Sequence, residues 1–188
     1  MRLNHRARVI FATACAQSIF PLLEGCSRNV PSDILRLASR ALDGLWTNSL
    51  PPQEAHRIES LLLSSMPSEA SWTAASPYVE NALAALCYAL RVSVTGNPQD
   101  AGFAARQVYE ALDYFVHNRE NIDFNQPGAE SRILRDPEVQ AQLRRLISIL
   151  DELALTDSSP DSIAEQLRRQ TADTGTALAS RICHGNEI

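Results

Sequence analysis

A continuous apolar segment from Ser76 to Gly96, SPYVENALAALCYALRVSVTG, constrains this chain more than any other feature. Ser76 is a favourable N-cap, Pro77 follows where the first helical turn tolerates proline, and Gly96 supplies a stop signal. Between these signals nearly every residue is apolar, and a helix that is apolar on most faces must be surrounded by other helices. The segment therefore predicts an all-α fold, a bundle of about six to seven helices around this buried central helix.

Proline marks the starts of most of the other predicted helices. Pro21 opens a short turn near Gly25, and later segments carry apolar residues at helical spacing, with Ile147 among those predicted to face the core. These helices are predicted over residues 31–46, 51–66, 98–117, 137–155 and 159–169. The polar segment 118–135 predicts a long surface loop, and residues 171–188, rich in Thr, Gly and Ala, predict an irregular tail.

The N-terminal residues allow two interpretations. Three arginines precede an apolar run that begins at Val9, and the residues before Cys26 resemble a bacterial lipoprotein cleavage site, which would make this a signal peptide. Gln17 and Pro21 interrupt the run, and Glu24 is a poor residue beside a cleavage position. We therefore expect a first helix that belongs to the fold.

Size and cysteine usage set the class of protein. A chain of 188 residues with 45% hydrophobic content is long enough for one domain, residues 1–188, without a cofactor or disulfide to stabilise it. No apolar run is long enough to cross a bilayer, so we expect no membrane association. Four cysteines match no zinc or redox spacing and predict reduced thiols in a cytoplasmic protein: Cys15, Cys26, Cys87 and Cys183.

The basic residues of this chain, 17 in all, are arginines, and lysine is absent. A Schiff-base lysine, a phosphate-loop lysine and a Ser-Lys dyad are therefore excluded. The four histidines form no metal-binding pair on a helix face, and Cys183-His184 in the predicted tail is expected to be inert. We expect no metal and no cofactor.

Negative charge is concentrated in the second half of the chain. Residues 1–94 carry eight Arg against seven acids, whereas residues 95–188 carry nine Arg against fifteen acids. One stretch has five acids and no base: Asp151, Glu152, Asp157, Asp161 and Glu165. Such a patch disfavours nucleic acid and suits a basic protein partner, although a solvated helix end has the same composition.

Short motifs are spread along the chain: Phe11-x-x-x-Cys15 followed by Phe20-Pro21, Leu42-Asp43-x-Leu45-Trp46, Ser76-Pro77-Tyr78, and Asp136-Pro137-x-Val139. In their order and spacing, from about residue 7 to 172, they resemble the YjaG-like family of small bacterial proteins. The resemblance implies an all-α cytoplasmic domain whose first helix belongs to the fold. It brings no catalytic residues, because the family is a domain of unknown function.

Three classes of function remain. The first is a non-enzymatic interaction protein, such as an immunity protein or antitoxin, that uses the acidic half against a basic partner. The second is a housekeeping subunit or small-molecule binder with a pocket beside aromatic rings, and the third is an enzyme that uses Asp43 or Glu80 as a buried acid or base. The candidate pocket residues are Asp43, Trp46, Tyr78, Glu80 and Tyr88. We favour the first class and expect no catalysis.

Two aromatic residues suggest that the protein could also pair with itself. Trp72 lies in the linker before the central helix, and Phe124 lies in the polar segment. Exposed rings of this kind can cover a partner surface, including a second copy of the chain. A homodimer is therefore a further possibility to test.

Overall fold

The computed structural model describes residues 3–25, 30–123, 125–155 and 159–184. These residues form nine α-helices, two of them short, and one 3-10 turn, which confirms the all-α prediction. The helices are α1 (His5–Ile19), α2 (Pro21–Gly25), α3 (Ser32–Trp46), α4 (Pro52–Ser64), α5 (Ser76–Thr95), α6 (Pro98–Glu120), α7 (Ala129–Leu134), α8 (Pro137–Leu155) and α9 (Asp161–His184), and the 3-10 turn is Glu69–Ser71.

The apolar segment forms α5, which packs against α1, α2, α3, α4 and α6. Gly96 ends it in the left-handed conformation, with φ 67°, and its N–H donates to the Val92 carbonyl at 2.8 Å. The expected N-cap is wrong by one position, because Ala75 precedes the first helical residue, Ser76. The Ser76 hydroxyl instead accepts from the Thr73 N–H at 2.8 Å and closes the turn that leads into the helix.

The first helix also belongs to the core, as expected. Helix α1 packs against α5, α6 and α9, and its residues are buried over most of its length. Two of its hydroxyl groups are satisfied within the helix, since Thr13 Oγ1 donates to the Val9 carbonyl and Ser18 Oγ to the Cys15 carbonyl, each at 2.7 Å. These short polar side chains can therefore lie in the core without leaving an unpaired donor.

The predicted long loop over residues 118–135 is shorter than expected. Helix α6 continues to Glu120 and ends at Asn121 with φ 48°. Helix α7 then occupies part of the segment and buries Ile133. Ala129 of α7 and Ile122 are buried as well, so a few apolar side chains within a polar segment hold it against the molecule.

The predicted irregular tail is wrong for the described residues up to 184, because α9 runs on as one helix. Its buried residues recur at helical spacing: Ala164, Leu167, Thr171, Leu178 and Ile182. Gly175 allows a close approach to α1, since a Cβ built there would lie 2.9 Å from the carbonyl oxygens of Gln17 and Ser18. Small residues in α9 therefore serve tight helix packing and not irregular backbone. Residues 185–188 lie outside the described part.

Among the described residues, none of the helices combines the length and the apolar character that a membrane crossing requires.

Candidate functional site

The acidic stretch lies where α8 leads towards α9. These two helices run antiparallel, since Glu138 of α8 pairs with Arg181 of α9 at 3.1 Å and the Arg145 guanidinium donates to the Gln170 carbonyl at 3.2 Å. Carrying this register onward places Glu152 and Glu165 at the same end of the helix pair. Part of the acidic set therefore lies at one end of the two helices.

One predicted partner-binding residue has a structural role instead. Asp161 pairs with Arg6 Nε at 2.7 Å. The two other guanidinium nitrogens of Arg6 donate to the carbonyls of Leu45 and Trp46, at 2.8 and 2.6 Å, and so satisfy the end of α3. Asp157 lies outside the described residues. Among the described acids of this stretch, Asp151 and Glu165 are exposed, whereas Glu152 is half-buried and accepts from Ser148 Oγ at 3.2 Å.

An exposed apolar stripe accompanies these acids. Ile147 is 57% exposed and Leu155 is 74% exposed. Asp151 lies between them, and positions four residues apart share one side of a helix. We call Ile147, Asp151 and Leu155 the α8 face. The expectation that Ile147 points into the core is wrong, because the core side of α8 is supplied by Val139, Leu146, Ile149 and Leu153.

Three of the five predicted pocket residues lie apart from any shared cavity. Trp46 is buried and its Nε1 donates to Gln17 Oε1 at 3.1 Å. Tyr78 is fully buried and its ring meets that of Tyr114 edge-on, with centroids 5.2 Å apart. Asp43 is exposed and accepts from Arg168 Nη2 at 2.5 Å, which links α3 to α9. These contacts stabilise the fold, and none of the three residues lines the cleft that contains Glu80 and Tyr88.

Glu80 and Tyr88 do share a cleft of about 400 Å³ between α4, α5 and α6. Arg91 lies at its inner wall, where it pairs with Glu59 at 2.6 Å and stacks over the Tyr88 ring at 5.4 Å. The hydrogen bond to Glu59 raises the pKa of the Arg91 guanidinium. The positive charge is therefore already engaged, and the other polar side chains that line the cleft are Glu80, Asn81, Gln107 and Glu110.

Two cysteines are inert core residues. Cys15 and Cys87 are free and buried, and burial raises the pKa of Cys87 to about 12 and that of Cys15 further. Thiols with such raised pKa values are poor nucleophiles, because little thiolate forms at neutral pH.

Cys183 corrects the expectation of four reduced thiols, since it is disulfide-bonded. Its sulfur lies beside α2, where a Cβ built on Gly25 would come within 2.9 Å of Sγ. The argument for a cytoplasmic location from reduced cysteines is thereby weakened.

Trp72 is 51% exposed, in agreement with its position in the linker, and Phe124 lies outside the described residues. Within the described part of the chain, no group of three or more His, Cys, Asp or Glu residues is arranged to hold a metal ion. The features that stand out are therefore surfaces and pockets rather than a cluster of reactive side chains.

The fold defines a class of protein. It is an α-helical bundle shared with the crystal structure of a DUF416 family protein from Shewanella baltica OS155, with a TM-score of 0.75. The match covers 92% of this chain and 91% of the other, at 15% sequence identity. No protein-family model matches the chain, and no curated protein matches its sequence. The similarity is one of fold, to an uncharacterised bacterial domain.

Proposed function

We propose that this protein is a non-enzymatic interaction module that binds a basic protein through the α8 face. The observation that supports it is the placement of a carboxylate between two exposed apolar side chains on one side of a helix. Large apolar side chains left in water favour a partner that covers them. Glu152 and Glu165 add negative potential at the same end, which favours a partner of positive charge.

The apolar and charged groups of the α8 face contribute differently to binding. Covering Ile147 and Leu155 is favourable by about 1.5–3 kcal/mol for each fully buried side chain. Asp151 contributes mainly to the rate of association and to orientation, because exposed charges are screened by salt. An immunity protein or antitoxin that masks a basic effector combines these two requirements. Asp43 pairs with Arg168, which favours a structural role for this carboxylate over acid–base catalysis.

Variants of the α8 face test the proposal directly. The purified protein is immobilised and challenged at low and high salt with a lysate of the organism that encodes it. Retained proteins are quantified by mass spectrometry, and the affinity of a purified candidate is measured by calorimetry. We expect Ile147→Ser with Leu155→Ser to weaken binding by roughly 30-fold or more, and Asp151→Asn to reduce its salt dependence.

Two matched variants control for the loss of an exposed apolar side chain and of a charge. Leu63→Ser removes a leucine that is exposed on α4, and Asp173→Asn removes a carboxylate from the middle of α9. Both should leave binding unchanged. The proposal fails if no basic protein is retained, or if its affinity is equal for the α8-face variants and these controls. Sedimentation of the purified protein would show whether a second copy covers this face instead.

We also infer that the chain is a distant YjaG-like protein. Supporting this, the motifs that carry the resemblance have structural roles: Phe11 and Cys15 are buried in α1, and Asp136 Oδ1 accepts from the Glu138 N–H at 2.9 Å at the start of α8. In a structural superposition we expect Asp-Pro to begin the corresponding helix of the Shewanella protein. Unrelated residues at this and the other helix starts would argue against the relationship.

A further inference from the structure

A pocket of about 770 Å³ lies where α1, the first turns of α6 and α8 meet. Phe11, Ala101 and Leu150 supply its apolar walls, together with Leu3 and Pro98 at the ends of the helices. This volume falls within the range of sites that bind small molecules, and such sites combine apolar walls with a few polar groups. The pocket shares no lining residue with the α8 face.

Arg8 is the charged residue among those described that line this pocket. Its Nε is buried and has no hydrogen-bond partner, and its guanidinium forms no ion pair with another described residue. Arg6, two residues earlier, has all three guanidinium nitrogens engaged. Arg8 is half-buried, and a buried donor such as its Nε is nearly always satisfied in folded proteins, so this guanidinium is suited to bind an anion in the pocket.

Gly102 keeps the pocket open on the α6 side. It lies inside a helix, where glycine is less favourable than alanine, and no left-handed backbone conformation requires it there. A Cβ built on Gly102 would meet no atom within 4 Å. The missing side chain therefore leaves space in the pocket, and close helix packing does not explain it.

We propose that this pocket binds a small amphipathic monocarboxylate, with the carboxylate on Arg8 and a hydrocarbon chain against Phe11 and Leu150. A guanidinium pairs with a carboxylate through two parallel hydrogen bonds, which would satisfy Nε and one terminal nitrogen together. A single cation in an apolar pocket suits a single negative charge, whereas a phosphate dianion needs further donors. The alkyl chain supplies the apolar surface that the walls cover.

The test uses decanoate below its micelle concentration, titrated into the full-length protein by calorimetry. Decanol and decylammonium, which share its alkyl chain, are the matched probes for the role of charge. We expect decanoate to bind, decanol to bind at least about tenfold more weakly, and decylammonium not to bind. Decanoate that fails to bind, or that binds no better than decanol, overturns the proposal.

Three variants locate the site. Arg8→Gln should weaken decanoate binding at least about tenfold, and Gly102→Leu should abolish it by filling the pocket from a position with free space. Arg169→Gln removes an exposed cation from α9 and should leave binding unchanged. Thermal unfolding verifies that each variant is folded. Decanoate affinity that survives both Arg8→Gln and Gly102→Leu shows that the ligand binds elsewhere and overturns the assignment.

Discussion

At the scale of single residues, Asp113 of α6 is held in an environment that disfavours its charge. The carboxyl is half-buried, and burial raises its pKa above the usual 3.8, although the Tyr109 hydroxyl donates to it at 3.4 Å and His117 opposes the shift. Glu110 and Glu130 add like charge, and burial, followed by the nearby Asp113 carboxylate, raises the pKa of Tyr109 to about 12. Ionised Asp113 is therefore a cost to the folded state.

We predict that Asp113→Asn stabilises the protein at pH 7. A carboxyl whose pKa is raised on folding favours the folded state at low pH, and that contribution is lost as the pH rises through its folded pKa. The asparagine amide carries no charge at any of these pH values, so it does not lose this contribution. The free energy of unfolding of the variant should exceed that of the parent by less than about 1 kcal/mol at pH 7, and the difference should vanish below pH 3.8. Urea unfolding across this pH range measures it, and an Asn variant that is less stable at neutral pH contradicts it.

Residue spacing predicted that Glu80 and Tyr88 lie near each other, but it did not predict that other candidate pocket residues are buried. Glu80 and Tyr88 lie eight residues apart on one helix, so the sequence already placed them on the same side, where the cleft lies. Trp46 and Tyr78 have the composition of pocket rings, but only the packing of other helices decides that they are buried. In the same way, nothing local distinguishes the unpaired Arg8 from the fully engaged Arg6.

At the scale of helices, replacement by alanine should have opposite effects on stability at two glycines, Gly175 and Gly102. Gly175→Ala should destabilise the protein by about 2 kcal/mol, because its Cβ would press on the α1 backbone and outweigh the better helix propensity of alanine. Gly102→Ala should stabilise it by up to about 1 kcal/mol, since the new Cβ meets nothing and only propensity changes. Urea unfolding of both variants beside the parent measures the difference.

The test depends on Gly175→Ala and Gly102→Ala changing the stability in opposite directions. Both changes add one methyl group inside a helix, so a general effect of alanine would shift both variants in the same direction. Equal stabilisation would show that α9 does not approach α1 as closely as described. A loss of stability at Gly102 would show that the wall of the Arg8 pocket is less open than its geometry indicates.

Helix boundaries followed from the sequence where local chemistry sets them. Helix α8 begins at Pro137 after the capping Asp136, and α5 ends before Gly96, as predicted. The first half of α9 was predicted, but its continuation beyond residue 170 was missed, because contacts with α1 and α2, and not its own composition, maintain it. The exposure of Ile147 was missed for a related reason, since only the neighbouring helices determine how wide the buried side of α8 is.

At the scale of the whole molecule, α1 joins the two halves of the chain. It packs against α2, α3 and α5 from the first half and against α6, α8 and α9 from the second. Neither half therefore retains a complete core when α1 is removed from it. Arg6 reinforces this connection, because it binds both the end of α3 and Asp161 at the start of α9.

This arrangement predicts that the described helices unfold in a single cooperative transition, as expected for one domain. Trp72 is half-exposed, so the variant Trp72→Phe leaves the buried Trp46, which contacts Gln17 of α1, as the only tryptophan reporter. Its fluorescence should change at the same urea concentration as the helical circular dichroism, because loss of α1 packing removes the support of both halves. Two separated transitions would show instead that α9 and its neighbours unfold independently of α3 and α5, and that α1 does not unite the fold.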